Sequence, residues 1–366
     1  MVETVKTGQR ASSERMSDRS ASDVTLQINL SAGDLAYAAQ MVPTLVRTHR
    51  NDVSEVVLVA DLCRPTSARD FHAASRLPLH EFSNRLQRLR ELCAALEGSR
   101  TVDRIVFVAP DATSLTALNL RYAGVATSRS HDHLGHAFSA YFSGWECART
   151  RYVAHFDADI LLWQAPGFSW IAAAIDALQR NETLLAVSPR IAPPPATDTL
   201  LAPQHPPECW SPDWPLHRHQ HGWISSWFST RCHLIDRERL TRVLPLGNPT
   251  RDRRAAAVDR WLRSLYDLRT LTGPDRSRLA RRLVRGVPPF PLPPEVLLHE
   301  HAQRRGLSCL YLANPEAWFI HPDTKPAQFL RLLPKLLEHV TVRGTYPPAQ
   351  RGLSSVQFDA WENHDA

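Results

Sequence analysis

The chain has 366 residues, 43% hydrophobic and 22% charged, with a formal net charge of +6. That length allows one large domain or two ordinary ones around a sizeable core. The composition is that of a soluble globular protein, not a collagenous, disordered or disulfide-knotted one, and no apolar run reaches the roughly 20 residues a membrane span needs.

Residues 1–23 are polar and lack an apolar central stretch, so they read as a disordered tail and not as a secretory signal. The six cysteines, Cys63, Cys93, Cys147, Cys209, Cys232 and Cys309, form no C-x-x-C pair. Free thiols in a reducing cytoplasm are the expectation, without a zinc or disulfide framework. Arginine crowds the stretch from Arg231 to Arg285. Such a patch can face a nucleic acid, a membrane surface or an anionic substrate, or can be a solvated helix face. No nucleic-acid-binding signature accompanies it.

In chain order, Val24 to Leu30 predicts a strand, Ser31 to Asp34 a loop and cap, and Leu35 to Thr48 a helix that Pro43 must kink or break. Val53 to Asp61 is a second strand ending on a carboxylate. Leu86, Leu89, Leu92, Cys93 and Leu96 recur at helical spacing within Phe82 to Glu97. Val102 to Ala109 is a third strand. Asp111 to Tyr122 and His136 to Arg149 are helical. Arg151 to Leu162 is a fourth strand, an apolar run interrupted by Asp157 and Asp159. Phe168 to Arg180 is a helix and Leu184 to Ile191 a strand. A proline-rich loop follows, Ala192 to Pro215. Two helices are expected within Arg253 to Arg285, another at Glu295 to Arg305, a short strand at Leu310 to Ala313, and a last helix at Lys325 to Val340.

Strands that are continuous apolar runs, alternating with helices, predict a mostly parallel, Rossmann-like sheet covered on both faces. Such sheets bind ligands at the C-terminal ends of their strands. Asp61, Asp157 and Asp159 all fall at such ends. The chain lacks a G-x-x-x-x-G-K-[ST] loop, a G-x-G-x-x-G turn and a G-x-S-x-G elbow. A nucleotide would then be held through strand-end carboxylates, and a D-x-D turn offers hard oxygens to Mg²⁺ or Mn²⁺. The plain alternative is a turn in which the pair only caps and solubilises.

Three segments carry a resemblance to GT-A-fold glycosyltransferases, bacterial and family-2-like. His155-Phe-Asp-Ala-Asp-Ile-Leu-Leu162 resembles the family's D-x-D strand. Glu295 to Gly306 resembles its acidic helix, although the family's Glu-Asp pair is Pro294-Glu295 here. Tyr311 to Pro322 resembles its terminal strand ending in histidine. The resemblance spans 24–322. It implies a nucleotide-diphosphate sugar donor, a Mn²⁺ or Mg²⁺ ion on Asp157, Asp159 and His321, and a catalytic base at Glu295, with Glu300 as its rival. It also implies donor contacts at Asp61, Asp157, Asp132 and Arg231, and inversion at the anomeric carbon. The expected organisation is a tail (1–23), a single domain (24–345) and a second tail (346–366). The domain comprises a nucleotide-sugar half (24–191) and an acceptor half (192–345) with a helical insertion (252–286).

Trp223 and Trp227 are acceptor candidates because indoles stack on sugar rings, though core packing is the commoner fate of tryptophan. His217, His219 and His221 have strand spacing that could hold zinc, but their proline-rich setting favours a solvated loop. Asp132 caps a helix equally well. The leading expectation is a cytoplasmic, metal-dependent glycosyltransferase. Its acceptor would be a sugar, natural-product scaffold, lipid carrier or peptide, and peripheral membrane contact is open. The alternatives are a nucleotidyltransferase on a similar sheet and a non-catalytic nucleotide- or carbohydrate-binding relic of the fold.

Overall fold

A computed structural model of the chain describes residues 23–65, 78–131, 137–194, 217–247, 294–323, 325 and 327–364. Asp132, most of the proline-rich loop and the insertion 252–286 lie outside them. The fold is mixed α/β with a large central sheet. Its first half is built from β1 (Val24–Ser31), β2 (Glu55–Asp61), β3 (Arg104–Val108) and β4 (Tyr152–Asp157). These run parallel in the order β3-β2-β1-β4. The crossovers carry α1 (Leu35–His49), α2 (Leu79–Gly98), α3 (Ala112–Ala123) and α4 (Ser139–Cys147).

Alternation along β2 shows why its sequence reads as a continuous apolar run. Val56, Leu58 and Ala60 join the core that holds Met41 of α1 and Leu89 of α2. Val57 and Val59 join Leu115 of α3 and Ala140 of α4 on the other face. With both faces covered, each buried side chain of this size contributes about 1.5–3 kcal/mol. β1 differs: Val24, Leu26, Ile28 and Leu30 face the first core, while Thr25 and Gln27 are buried polar residues on the other side. Pro43 lies inside α1 without ending it.

The expected fourth strand is two strands. β4 stops at Asp157, a turn follows in which Ile160 N donates to Asp157 O (3.2 Å), and β5 (Leu161–Gln164) leaves for another sheet. After α5 (Trp170–Arg180), the strand expected from Leu184 to Ile191 also divides, into β6 (Leu184–Ser188) and β7 (Arg190–Ile191). Then come β8 (His217–His219), β9 (Gly222–Ser225), β10 (Cys232–Asp236), α6 (Arg237–Val243), α7 (Pro294–Arg305), β11 (Ser308–Leu312) and β12 (Ala317–Ile320). The large sheet has the order β3-β2-β1-β4-β10-β6-β11-β9-β8, and a small one has β5-β12-β7. β10, β9 and β8 run against their neighbours. The sheet is therefore parallel throughout its first half only.

After α8 (Ala327–Leu336) the chain does not become a tail at 346. Trp361 of α9 (Phe358–Glu362) is fully buried in the main core. Its indole N–H donates to Gln350 Oε1 (2.9 Å). No helix among the described residues is long and apolar enough to cross a membrane.

Candidate active site

A cavity of about 300 Å³ opens at the C-terminal ends of β1, β2 and β4, the position a parallel sheet reserves for ligands. The β1–α1 loop (Ser31 to Asp34), Asp61, the Asp157–Asp159 turn, Arg231, Glu295 and Lys325 are among its walls. A smaller cavity of about 70 Å³ adjoins it and shares Thr230, Arg231 and Glu295. Trp227, Phe228, Tyr311 and His321 are among its other walls.

Asp61 closes β2 and is 2% exposed. Cys63 N donates to its Oδ1 (2.8 Å), and His131 Nε2 stands 3.4 Å from its Oδ2. Burial is the main reason its carboxyl titrates above the ordinary range, with His131 pulling the other way.

Asp157 and Asp159 have different environments. Tyr141 Oη of α4 donates to Asp157 Oδ1 (2.7 Å), and His155 Nε2 lies 3.2 Å from the same oxygen. Loss of water, then the neighbouring Asp159, push the Asp157 carboxyl up to about 7. Burial also opposes the charge on Asp159, but Lys325 overrides it: Nζ lies 2.8 Å from Oδ2 and holds that carboxyl below its ordinary value. Lys325 is 3.9 Å from Asp34 Oδ1 and sits over the Tyr37 ring, 5.1 Å from its centroid. Burial works against its charge, yet Asp159 and Asp34 raise it.

His321 follows β12, where backbone bonds to Ser354 O and from Val356 N pin it (2.9 and 3.0 Å). Arg231 Nη1 lies 3.1 Å from His321 Nδ1 and also contacts Nε2. Burial first, then Arg231, push the imidazole down to about 4, so it is neutral and accepts from the guanidinium.

The cation expected on Asp157, Asp159 and His321 would need their lone pairs free. Here Lys325 sits on Asp159 Oδ2, Arg231 on both ring nitrogens of His321, and Tyr141 and His155 on Asp157 Oδ1. Among the described residues no three His, Cys, Asp or Glu side chains are grouped to hold a metal ion. Asp157, Asp159 and His321 as placed do not fit a divalent cation.

The other expected residues divide. Glu295 is in the first turn of α7, lines both cavities, and accepts from Thr230 Oγ1 (3.4 Å). Glu300 lines neither described cavity and is 3.8 Å from Arg304 on its own helix. Trp227 lines the smaller cavity, whereas Trp223 lies on β9, in register with Arg218 and Tyr311, and is not in its wall. His217 and His219 form β8 at the sheet edge, with His217 exposed.

Sequence reasoning missed Lys325, Tyr141, His131 and Asp34. Lys325 read only as the start of a helix, although its place four residues after His321 was a usable signal. It also missed the polar layer beneath the turn. Gln27, His155 and His233 share one row across β1, β4 and β10, and His155 and His233 stack at 4.9 Å.

Strand-end carboxylates, two cations and a carboxylate on a facing helix thus meet in one cleft of an α/β protein. No protein-family model matches the sequence, and no curated protein does. Among solved structures the chain is similar to an active-site mutant of LgtC, at 9% identity and a TM-score of 0.27, covering 60% of this chain and 59% of that one. It is also similar to the galactosyltransferase LgtC in complex with donor and acceptor sugar analogues, at 10% identity and a TM-score of 0.25, with the same coverage. The match spans under two thirds of either structure's length.

Proposed function

We propose that this chain is a GT-A-type glycosyltransferase that moves a sugar from a nucleotide-diphosphate donor to an acceptor hydroxyl. The observation that supports this reading is the joining of two cavities at Glu295. The larger offers Asp61 and the Asp157–Asp159 turn to a nucleotide, and the smaller offers aromatic walls to an acceptor ring. Asp61 and His131 would contact the base or ribose, as acceptor and donor of hydrogen bonds. Arg231, with a planar fork of donors, suits phosphate oxygens.

In the proposed step Glu295 takes the proton of the acceptor hydroxyl while that oxygen attacks the anomeric carbon. The bond from that carbon to the diphosphate oxygen breaks, and its electron pair leaves with the nucleoside diphosphate. Attack from the side opposite the leaving group inverts the anomeric centre. Thr230, bonded to Glu295, keeps the carboxylate aimed between the cavities.

The test is a panel of UDP-, GDP-, dTDP-, CDP- and ADP-sugars, followed by saturation-transfer NMR for binding and by nucleoside diphosphate release for turnover. At least one donor should bind and turn over. Glu295→Gln should lower turnover by about 10²–10⁴-fold with binding retained, while Glu300→Gln should leave both within a few-fold. Failure of every nucleotide sugar to bind the folded protein would refute the reading.

A further inference from the structure

We infer that the donor's diphosphate is held, and its charge on leaving is neutralised, by the side chains of Lys325 and Arg231 instead of a divalent cation. This rests on the glycosyltransferase reading above.

Both side chains line the large cavity and both are partly exposed to it. Each already occupies one of the groups a metal would need. Lys325 is at 2.8 Å from Asp159, and Arg231 is on the ring nitrogens of His321. A cation entering the turn would have to displace the ammonium and the guanidinium and would then stand beside both. Like charges at that range repel. A diphosphate meets the opposite situation. Two unit positive charges match the formal charge of a divalent ion; Asp159 and Asp34 both flank Lys325, whereas Arg231 rests on the ring of His321.

The supports suit that role. Asp159 and Asp34 flank the Lys325 ammonium, and the Tyr37 ring lies beneath it, so the flexible stem is held where it is needed. His321, anchored through its backbone to Ser354 and Val356, braces the guanidinium. In this arrangement Asp159 and His321 are positioning residues, one for each cation. Arg231 also lines the small cavity, which places its charge where donor and acceptor meet. The guanidinium can make two parallel bonds to phosphate oxygens and the ammonium acts as a compact charge.

The experiment is titration calorimetry of the full chain with UDP, GDP, dTDP, CDP and ADP, in EDTA and again in Mn²⁺. At least one diphosphate should bind in EDTA, with an affinity that Mn²⁺ changes by less than about threefold, while Lys325→Met and Arg231→Gln each weaken it about tenfold or more. Lys325→Arg should restore most of the loss. Binding that appears only with Mn²⁺, or that Asp159→Ala abolishes while Lys325→Met spares it, overturns this inference and leaves the glycosyltransferase reading intact. Absence of binding in both buffers overturns the two together. The wild-type comparison decides the matter even if a variant fails to fold.

Discussion

Two carboxylates one residue apart need not behave alike. Asp159 faces an ammonium and stays ionised, whereas Asp157 loses water and shares the turn with that charge. The sign of the pH effect follows. The Asp157 carboxyl goes from an ordinary 3.8 to about 7 in the folded protein. Between those values the folded state keeps a proton that the unfolded chain has released, so this residue's contribution to stability is lost as pH rises through about 7. Asp157→Asn should therefore match wild type only near pH 4 and gain on it steadily up to about pH 7 in thermal melts, in both cases with Tyr141 left in place to donate. A constant difference across that range would show that Asp157 is ionised throughout.

At the scale of elements, α4 is set by what it covers. A Cβ on Gly144 would lie 2.0 Å from Gln27 side-chain atoms, and Gln27 in turn donates to Asn29. Helix propensity alone says that Gly144→Ala gains about 1 kcal/mol. The close approach predicts the reverse, a lower urea midpoint, because the displaced amide is fully buried and packed beside His155 in the next strand. The C-terminal segment is the second case. Its Ser354 and Val356 fix the backbone of His321, and Trp361 sits in the main core. Trp361→Ala should cost about 3–5 kcal/mol in chemical denaturation. A change near zero would mean that residues 346–364 contribute nothing to the fold.

The whole molecule keeps several neutral imidazoles inside it. His49 links two helices: Nδ1 bonds Leu45 O (2.8 Å) and Nε2 accepts from Trp170 Nε1 (3.0 Å). His155 is pushed down to about 3 by burial, and His233 is lowered by burial and then by His155. In the unfolded chain each titrates near 6.5. As pH falls below that value the unfolded state takes up protons that the folded state refuses, and stability is lost. Melting temperature should drop steadily from pH 7 to pH 5, and His155→Gln with His233→Gln should flatten that slope. Asp157 acts in the opposite direction throughout this window, so the double variant must be compared at each pH with wild type.

Much of the first half is legible in the sequence. The alternation of apolar strands and periodic helices from Val24 to Arg180 is a local property, because 3.6-residue and two-residue periods are written into short windows. The same holds for Asp61 and Asp157 at strand ends and for Glu295 in the first turn of a helix. The second half was less legible for a physical reason. Short strands such as β7 and β9 owe their place to partners far along the chain, and nothing local says which sheet β5 or β7 will join. The break between β4 and β5 was hidden because Ile160 to Leu162 stay apolar on both sides of the turn. Lys325 reaching Asp159, and Arg231 reaching His321, are contacts between side chains 166 and 90 residues apart in the numbering. The sequence by itself determined where carboxylates would gather at the sheet. Only the tertiary structure decided that an ammonium had already taken one of them, Asp159, because charge pairing depends on distances that no spacing along the chain encodes.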